Sequence, residues 1–228
     1  MEKVVIIMCI WKRVNNLDKI LTCLSNQTYK NFKLVIWDNS EQKKEVENII
    51  SKYKLDIDVI KSEKNIGGIG RFYAAKKYQN EYKTVIFFDD DQFPQENFVE
   101  IMVKNYEPHT IKSRHCYKIV SKTDYWNRRK IMPNNTNINY CGTCGMVLDS
   151  EIFKFDDLFN FPEEYLFIED LWISFYAQHK LHWKLQSIDV PLTLVDDGKD
   201  QFRGLINKKS DFLKYLVEKQ KWNLDKTY

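Results

Sequence analysis

Glycine is scarce in this chain, with 7 in 228 residues, and neither sign of charge dominates: 35 lysines and arginines stand against 32 acidic residues, a net charge of +3. So small an excess argues against a nucleic-acid partner, whose phosphates call for a basic face or tail. Long apolar runs are missing as well. The opening Met1-Glu2-Lys3 leads into an apolar stretch of only about eight residues, short of a membrane-spanning helix, so neither a leader peptide nor a transmembrane segment is expected. A tryptophan and several lysines near the C-terminus leave peripheral contact with a lipid surface open. Five cysteines, an odd number without regular spacing, make no disulfide framework, which suits a reducing compartment and makes the cytosol the expected location. The four histidines, His109, His115, His179 and His182, have no ligand spacing among themselves. No internal repeat and no low-complexity linker interrupts a length that suits one well-buried α/β domain.

What the chain does have is an acidic triplet. Asp89-Asp90-Asp91 closes the apolar run Thr84-Val85-Ile86-Phe87-Phe88, with Pro94 just behind. Left alone, three carboxylates at the end of a buried strand repel one another and lose their hydration. A divalent cation that also binds a phosphate cancels that cost, because hard cations such as Mg²⁺ take carboxylate and phosphate oxygens together. Strand alternation would put Asp89 and Asp91 on one face and Asp90 elsewhere. An isolated triplet could equally be a solvated acidic turn before a helix near Glu96; the bulky, uncharged strand ahead of it favours the metal reading.

The hydrophobic pattern predicts strands over 4–9, 32–37, 57–60 and 85–88, alternating with helices over 17–26, 45–53 and 65–79. Asn15 or Asn16 is the expected cap of the first helix. Such alternation implies a parallel sheet covered on both faces, with ligands at the carboxyl ends of its strands. Trp11, Asp38, residues 65–70 and the aspartates should therefore meet on one rim. After Pro108 the pattern is less regular. Short strands are predicted over 110–113, 117–120, 144–148, 183–186 and 191–195, a polar loop over 134–139, an amphipathic helix over about 168–179, a charged loop over 196–203 and a last helix ending near Trp222. The boundary at 108 divides one domain, 1–228, into functional halves, 1–108 and 109–228, rather than into foldable units.

Cys141-Gly142-Thr143-Cys144 has the spacing of a redox pair or half a zinc site. It runs into a strand rather than a helix, and only His115 and Cys116 offer themselves as further ligands, so two small core thiols are the better account. Gly68-Ile69-Gly70 does not complete a dinucleotide fingerprint either, because Tyr73 stands where the last glycine is required.

Taken in order, these pieces resemble the GT-A fold glycosyltransferases, in particular the inverting glycosyltransferase family two. The resemblance rests on the opening strand to Trp11, on Val35-Ile36-Trp37-Asp38-Asn39-Ser40, on Asn65, Gly67, Gly68 and Arg71, on the aspartate triplet, on Cys141 to Val147, and on Glu169-Asp170-Leu171-Trp172. It implies a Rossmann-like, mostly parallel α/β sheet flanked by helices, with a smaller mixed acceptor-side subdomain. It also implies a metal-dependent inverting transferase that uses a nucleotide-sugar donor, most plausibly a UDP-sugar, and builds on a hydroxyl of a glycan, lipid or protein. By the same resemblance Cys9, Trp11, Asp38, Asn65, Gly68, Arg71, Asp89 and Asp90 bind the donor, and Asp91 with Asp89 holds Mn²⁺ or Mg²⁺. Asp170 is the catalytic base, while Gly142, Gly145, Glu169 and Trp172 line the acceptor side. Simple helix capping is the competing account of the Glu169-Asp170 pair. The histidine that some relatives supply after the last strand is absent here; either Asp196 or Asp197 takes its place or the diphosphate and water complete the shell, and Lys199 and Arg203 are candidates to close over the diphosphate. Two other readings remain: a sugar-nucleotide nucleotidyltransferase, disfavoured because the 11–16 stretch has no glycine, and a non-catalytic nucleotide- or glycan-binding domain.

Overall fold

Strand β1 (Val4–Ile10) is buried on both sides, and its alternation sorts the interior into two layers. Val5 and Ile7 belong to one apolar cluster, while Val4, Ile6, Met8 and Ile10 belong to the other. A strand with no solvent-facing side needs an unbroken β-branched run, and this one has it. The computed structural model describes residues 2–195 and 204–228.

Around β1 the chain lays down β2 (Phe32–Asp38), β3 (Ile57–Lys61) and β4 (Thr84–Phe87), and later β6 (Thr110–Ser113), β10 (Met146–Asp149) and β11 (Lys184–Ser187). The seven strands lie in the order β3-β2-β1-β4-β10-β6-β11. All pairs are parallel except those made by β10, which runs against both β4 and β6. Two small sheets complete the strand set: β5 (Gln92–Pro94) with β12 (Leu192–Leu194), and β7 (Cys116–Ile119) between β8 (Arg128–Lys130) and β9 (Tyr140–Cys141). The helices are α1 (Leu17–Ser25), α2 (Lys43–Ile50), α3 (Gly70–Tyr78), α4 (Phe98–Asn105), α5 (Glu169–Phe175) and α6 (Ile206–Glu218).

The alternation of the first half is as the pattern predicts, and three differences along the chain matter. Strand β4 stops at Phe87, and Asp90-Asp91 form a turn, so the placing of the aspartates comes from a turn rather than from strand alternation. Asn16 stands at the cap position of α1 without capping it; its side-chain amide donates instead to the Asp90 carbonyl at 2.9 Å. The helix expected over 168–179 is α5 for seven residues and then widens into a π-turn, Tyr176–Lys180. No described helix is long and apolar enough to cross a membrane. Trp222 is buried and its indole donates to Gln178 at 3.2 Å, so the C-terminal tryptophan is core and is not offered to a lipid surface.

Candidate active site at the aspartate turn

Because β10 runs against its neighbours, it begins at the rim where they end. Met146 lies opposite Phe87 of β4 and Ser113 of β6, so residues just before Met146 pass over the aspartates that follow β4. Contact is direct: the Thr143 hydroxyl donates to Asp89 Oδ2 at 3.1 Å. Asp89 and Asp91 line two cavities at once, one of about 210 Å³ beside β1 and β2 and one of about 420 Å³ toward β7 and β9.

The first cavity is walled by Cys9, Trp11, Asn65, Gly68, Arg71 and all three aspartates, which sequence reasoning had placed together. Its charges come in pairs. Arg71 is buried, donates to Asp89 Oδ1 at 2.6 Å and to the Gly68 carbonyl at 3.1 Å, and lies 3.6 Å from Glu169. Arg13 donates to Asp90 at 3.1 Å and stands 3.5 Å from Asp91. The Trp11 amide also donates to Asp90, at 3.1 Å. Burial raises the Asp90 carboxyl above the usual range, against the pull of Arg13. Cys9 approaches the Gly68 carbonyl at 3.7 Å, and burial pushes its thiol up to about 12. It is a neutral wall residue at neutral pH, not a nucleophile.

Gly67 and Gly68 are required by this wall. Gly67 has φ +72, a conformation that L side chains rarely adopt. A Cβ on Gly68 would fall 1.8 Å from Glu169 Oε1. Asn65 accepts from the Gly67 amide at 2.8 Å and so holds the turn. Glu169 thus lies beneath the glycine turn and beside Arg71. That placement corrects its assignment to the acceptor side. Burial raises its carboxyl to about 7; Arg71 opposes this only partly, because its shorter contact is with Asp89.

Asp38, at the end of β2, is fully buried. Its Oδ1 accepts from the Ser40 amide at 2.8 Å and hydroxyl at 2.6 Å and pairs with Lys43 at 3.2 Å, while Oδ2 has no hydrogen-bond partner among the described residues. A buried carboxylate oxygen without a donor is costly.

The second cavity brings together Tyr117, Tyr125, Arg128, Tyr140, Gly142, Thr143, Asp170 and Lys209. Asp170 sits in the first turn of α5, where its Oδ1 accepts from the Leu171 amide at 2.8 Å. Its Oδ2 accepts from the Tyr140 hydroxyl and lies 3.7 Å from Lys209. Burial and the neighbouring Asp170 raise the Tyr140 phenol well above its usual range, so it stays a donor. Burial works against the charge of Lys209, but Asp170 and Tyr125 more than offset it and keep the ammonium protonated.

Two further acceptor-side assignments do not hold. Trp172 is buried, donates its indole N–H to the Leu158 carbonyl at 2.8 Å and packs on Phe161, Phe175 and Phe212; it is core. Gly145, at φ +59, faces Val190, where a Cβ would fall 2.6 Å from the valine side chain; it serves packing rather than the cavity. Gly142 does line the cavity. Cys141 and Cys144 separate into opposite apolar layers, Cys141 meeting Cys116 at 3.2 Å between sulfurs. They make neither a redox pair nor a ligand pair. Asp196, Asp197, Lys199 and Arg203 lie outside the described residues.

Metal fit turns on the carboxylates. The two Asp89 oxygens already accept from Arg71, from Gln92 at 3.0 Å and from Thr143, so Asp89 could ligate an ion only by giving up a donor. Asp91 faces both cavities, a quarter of its side chain exposed, with the longer Arg13 contact. Its hard oxygens suit Mg²⁺ or Mn²⁺. Among the described residues, the cluster of three metal-capable groups with ligand atoms within 4.8 Å is His109, Asp149 and Glu151, at the other end of β10. Sequence reasoning missed Arg13, Gln92, Thr143, Tyr140 and Lys209. Arg13 and Thr143 lay inside motifs already singled out; Lys209, on the last helix, gave no signal.

An α/β sheet of this order, with an aspartate turn between two cavities, defines the GT-A class. The chain belongs to glycosyl transferase family 2, whose model matches residues 5–158. None of the curated proteins matches it in sequence. Among solved structures it is similar to TarS of S. aureus, with 19% identity over 95% of this chain and 44% of that one and a TM-score of 0.60. It is similar to the mannosyltransferase PcManGT from Pyrobaculum calidifontis, solved with GDP-Man and Mn²⁺: 14% identity, 99% and 66% coverage, TM-score 0.71. GalNAc-T7, solved with UDP, GalNAc and Mn²⁺, gives 12% identity, 82% and 42% coverage, and a TM-score of 0.63. Identities this low speak for the fold alone. This chain spans less than half of TarS and of GalNAc-T7 and about two thirds of PcManGT.

Proposed function

We propose that this protein is a metal-dependent inverting glycosyltransferase that moves a sugar from a nucleotide-sugar, by preference a UDP-sugar, to a hydroxyl acceptor. The observation that bears the most weight is the sharing of Asp89 and Asp91 by both cavities. A donor diphosphate in the first cavity and an acceptor hydroxyl in the second would meet across that turn, from opposite sides, as inversion requires. TarS has been solved with UDP-GlcNAc, GalNAc-T7 with UDP and PcManGT with GDP-Man, which supports the donor class.

The residues divide the work as follows. Asp38, whose Oδ2 has no partner among the described residues, would accept a nucleobase N–H. Trp11, Asn65 and the Gly67–Gly68 backbone flank the ribose and sugar. Asp91 would hold the divalent cation, which when bound offsets charge on the departing diphosphate. Asp89 fixes Arg71 beside it. Asp170 takes the acceptor proton on Oδ1 or Oδ2, while Tyr140 and Lys209 orient its carboxylate. We place the protein in the cytosol.

A panel of UDP-, GDP- and dTDP-sugars with Mn²⁺ or Mg²⁺, read by nucleotide release, tests the reading. Metal-dependent release from one sugar, lost in Asp91→Ala, is the expected result. Pyrophosphate formed from a sugar phosphate and UTP would reassign the protein to nucleotidyl transfer, and tight UDP binding without turnover under any acceptor would make it a binding domain.

A further inference from the structure

Among the described residues, Arg128 is a cation to which the donor chemistry gives no role. It lines the second cavity, and its guanidinium lies over the rings of Tyr117 at 4.1 Å, Tyr125 at 4.2 Å, Trp126 at 4.9 Å and Tyr140 at 5.7 Å. Ring faces stabilise a cation but offer its N–H groups no oxygen. Arg128 Nη1 is buried and has no hydrogen-bond partner among the described residues. The carboxylates that share the cavity are engaged elsewhere: Asp170 by Tyr140 and Lys209, Asp89 by Arg71, Gln92 and Thr143, and Asp91 by Arg13 at 3.5 Å. Lys209 adds a second positive charge on the same side, 5.1 Å from the Tyr125 ring. The surroundings are positive enough that Lys130, Arg114 and Arg128, after burial, help lower the imidazole of His115 in the same cavity.

A buried donor without an acceptor is expensive unless a ligand completes it. Planar guanidinium groups match oxyanions with two parallel N–H bonds. We propose that the acceptor bears an anionic group, a phosphate or a carboxylate, that Arg128 binds inside its aromatic cage. The Tyr140 ring that walls the cage also donates to Asp170, so an anion held there would fix the acceptor one residue from the base. This inference rests on the transferase reading of the cavity.

Two arms keep the inference and that reading apart. First, the metal-free protein is titrated with glucose, glucose 6-phosphate and glucuronate while the Arg128 Nε–H signal is followed by NMR, in wild type and in Arg128→Met, which keeps the stem that packs on the rings. No turnover is needed. At least one anionic sugar should shift that signal with about tenfold or greater preference over glucose, roughly 1.4 kcal/mol, and the preference should vanish in Arg128→Met. Which of the two anions responds sets the oxyanion class. Equal responses to glucose, or shifts confined to the 89–91 turn, would overturn the proposal. Second, with an active donor, kcat/KM is compared for matched neutral and anionic acceptors. A wild-type ratio of about ten or more that falls toward one in Arg128→Met, with partial recovery in Arg128→Lys, supports it. A wild-type ratio near one refutes it while leaving glycosyl transfer standing, whereas absence of any turnover bears on the transferase reading and leaves the titration to decide the anion site.

Discussion

On the β1–β2 side of the aspartate turn, charge meets charge: Arg13 holds Asp90, Arg71 holds Asp89, and Lys43 holds Asp38. On the β7–β9 side one such pair remains, Lys209 with Asp170 at 3.7 Å, but Arg128 has only ring faces, and Lys209 too lies against a tyrosine ring. The first arrangement is rigid, because paired buried ions tolerate little displacement once their water is gone. It suits a constant ligand such as a diphosphate. The second is held by ring faces, whose attraction to a cation depends less on direction, and it suits acceptors that differ in shape. On the proposed transferase reading, the first wall would meet the donor and the second the acceptor.

The sharpest way to break this division is at its boundary. Asp170→Asn should lower kcat by about 10²–10⁴-fold, the usual worth of a general base, while donor affinity measured by calorimetry stays near wild type. A parallel loss of donor binding would show that Asp170 belongs to both walls. Asp91→Ala should cost about 10²–10³-fold, as expected for lost electrostatic help to a leaving group, with most of the loss in metal-dependent donor binding. If manganese titration followed by isothermal calorimetry gave the same affinity in Asp91→Ala, the ion would have to be held elsewhere.

Stability offers a second comparison. Gly68→Ala pushes a methyl into the buried Glu169 carboxylate, and overpacking of that kind costs about 1–3 kcal/mol. Urea denaturation reads it, and donor binding should weaken with it because Arg71 leans on the same backbone. An unshifted urea midpoint would mean that Glu169 moves aside freely. Glu169 itself links folding to pH. Its carboxyl is raised to about 7 by burial, so the folded chain holds that proton more tightly than the unfolded chain. The stabilisation is present below the unfolded value and is lost as pH rises through the folded one. Between pH 4.5 and 7.5 the wild type should lose stability relative to Glu169→Gln by an amount on the order of 1–3 kcal/mol. A flat difference would show that Arg71 neutralises Glu169 throughout.

Legibility in the sequence follows the same division. The first cavity was readable because its parts fall just past strands whose order follows from topology: Trp11, Asn65, Gly68 and the aspartates each follow an apolar run. The acceptor wall draws Tyr117 and Arg128 from a small antiparallel sheet, Tyr140 from a two-residue strand, Asp170 from α5 and Lys209 from α6. No periodicity announces such an assembly, because the contacts are long-range and each contributing stretch is short. Glu169 shows the intermediate case. Its position beside Asp170 was plain, but adjacent residues on a helix face different ways, and the sequence does not say that one turns toward Gly68 and the other toward Tyr140.

Trp172 gives the smallest test and the cleanest separation of the site from what supports it. Its ring is buried against Phe161 and Phe212, and its one polar atom is satisfied by the Leu158 carbonyl at 2.8 Å. Trp172→Phe keeps an aromatic ring in place but removes that donor and some volume, so the cost should be about 1–2 kcal/mol from the lost hydrogen bond and the small void. Chemical denaturation should therefore show a lower midpoint with an unchanged slope. If Trp172 is core, KM for the acceptor stays at the wild-type value even as the midpoint falls. A selective rise in acceptor KM, with stability untouched, would return Trp172 to the acceptor wall and would mean that α5 presents more of itself to the cavity than Asp170 alone.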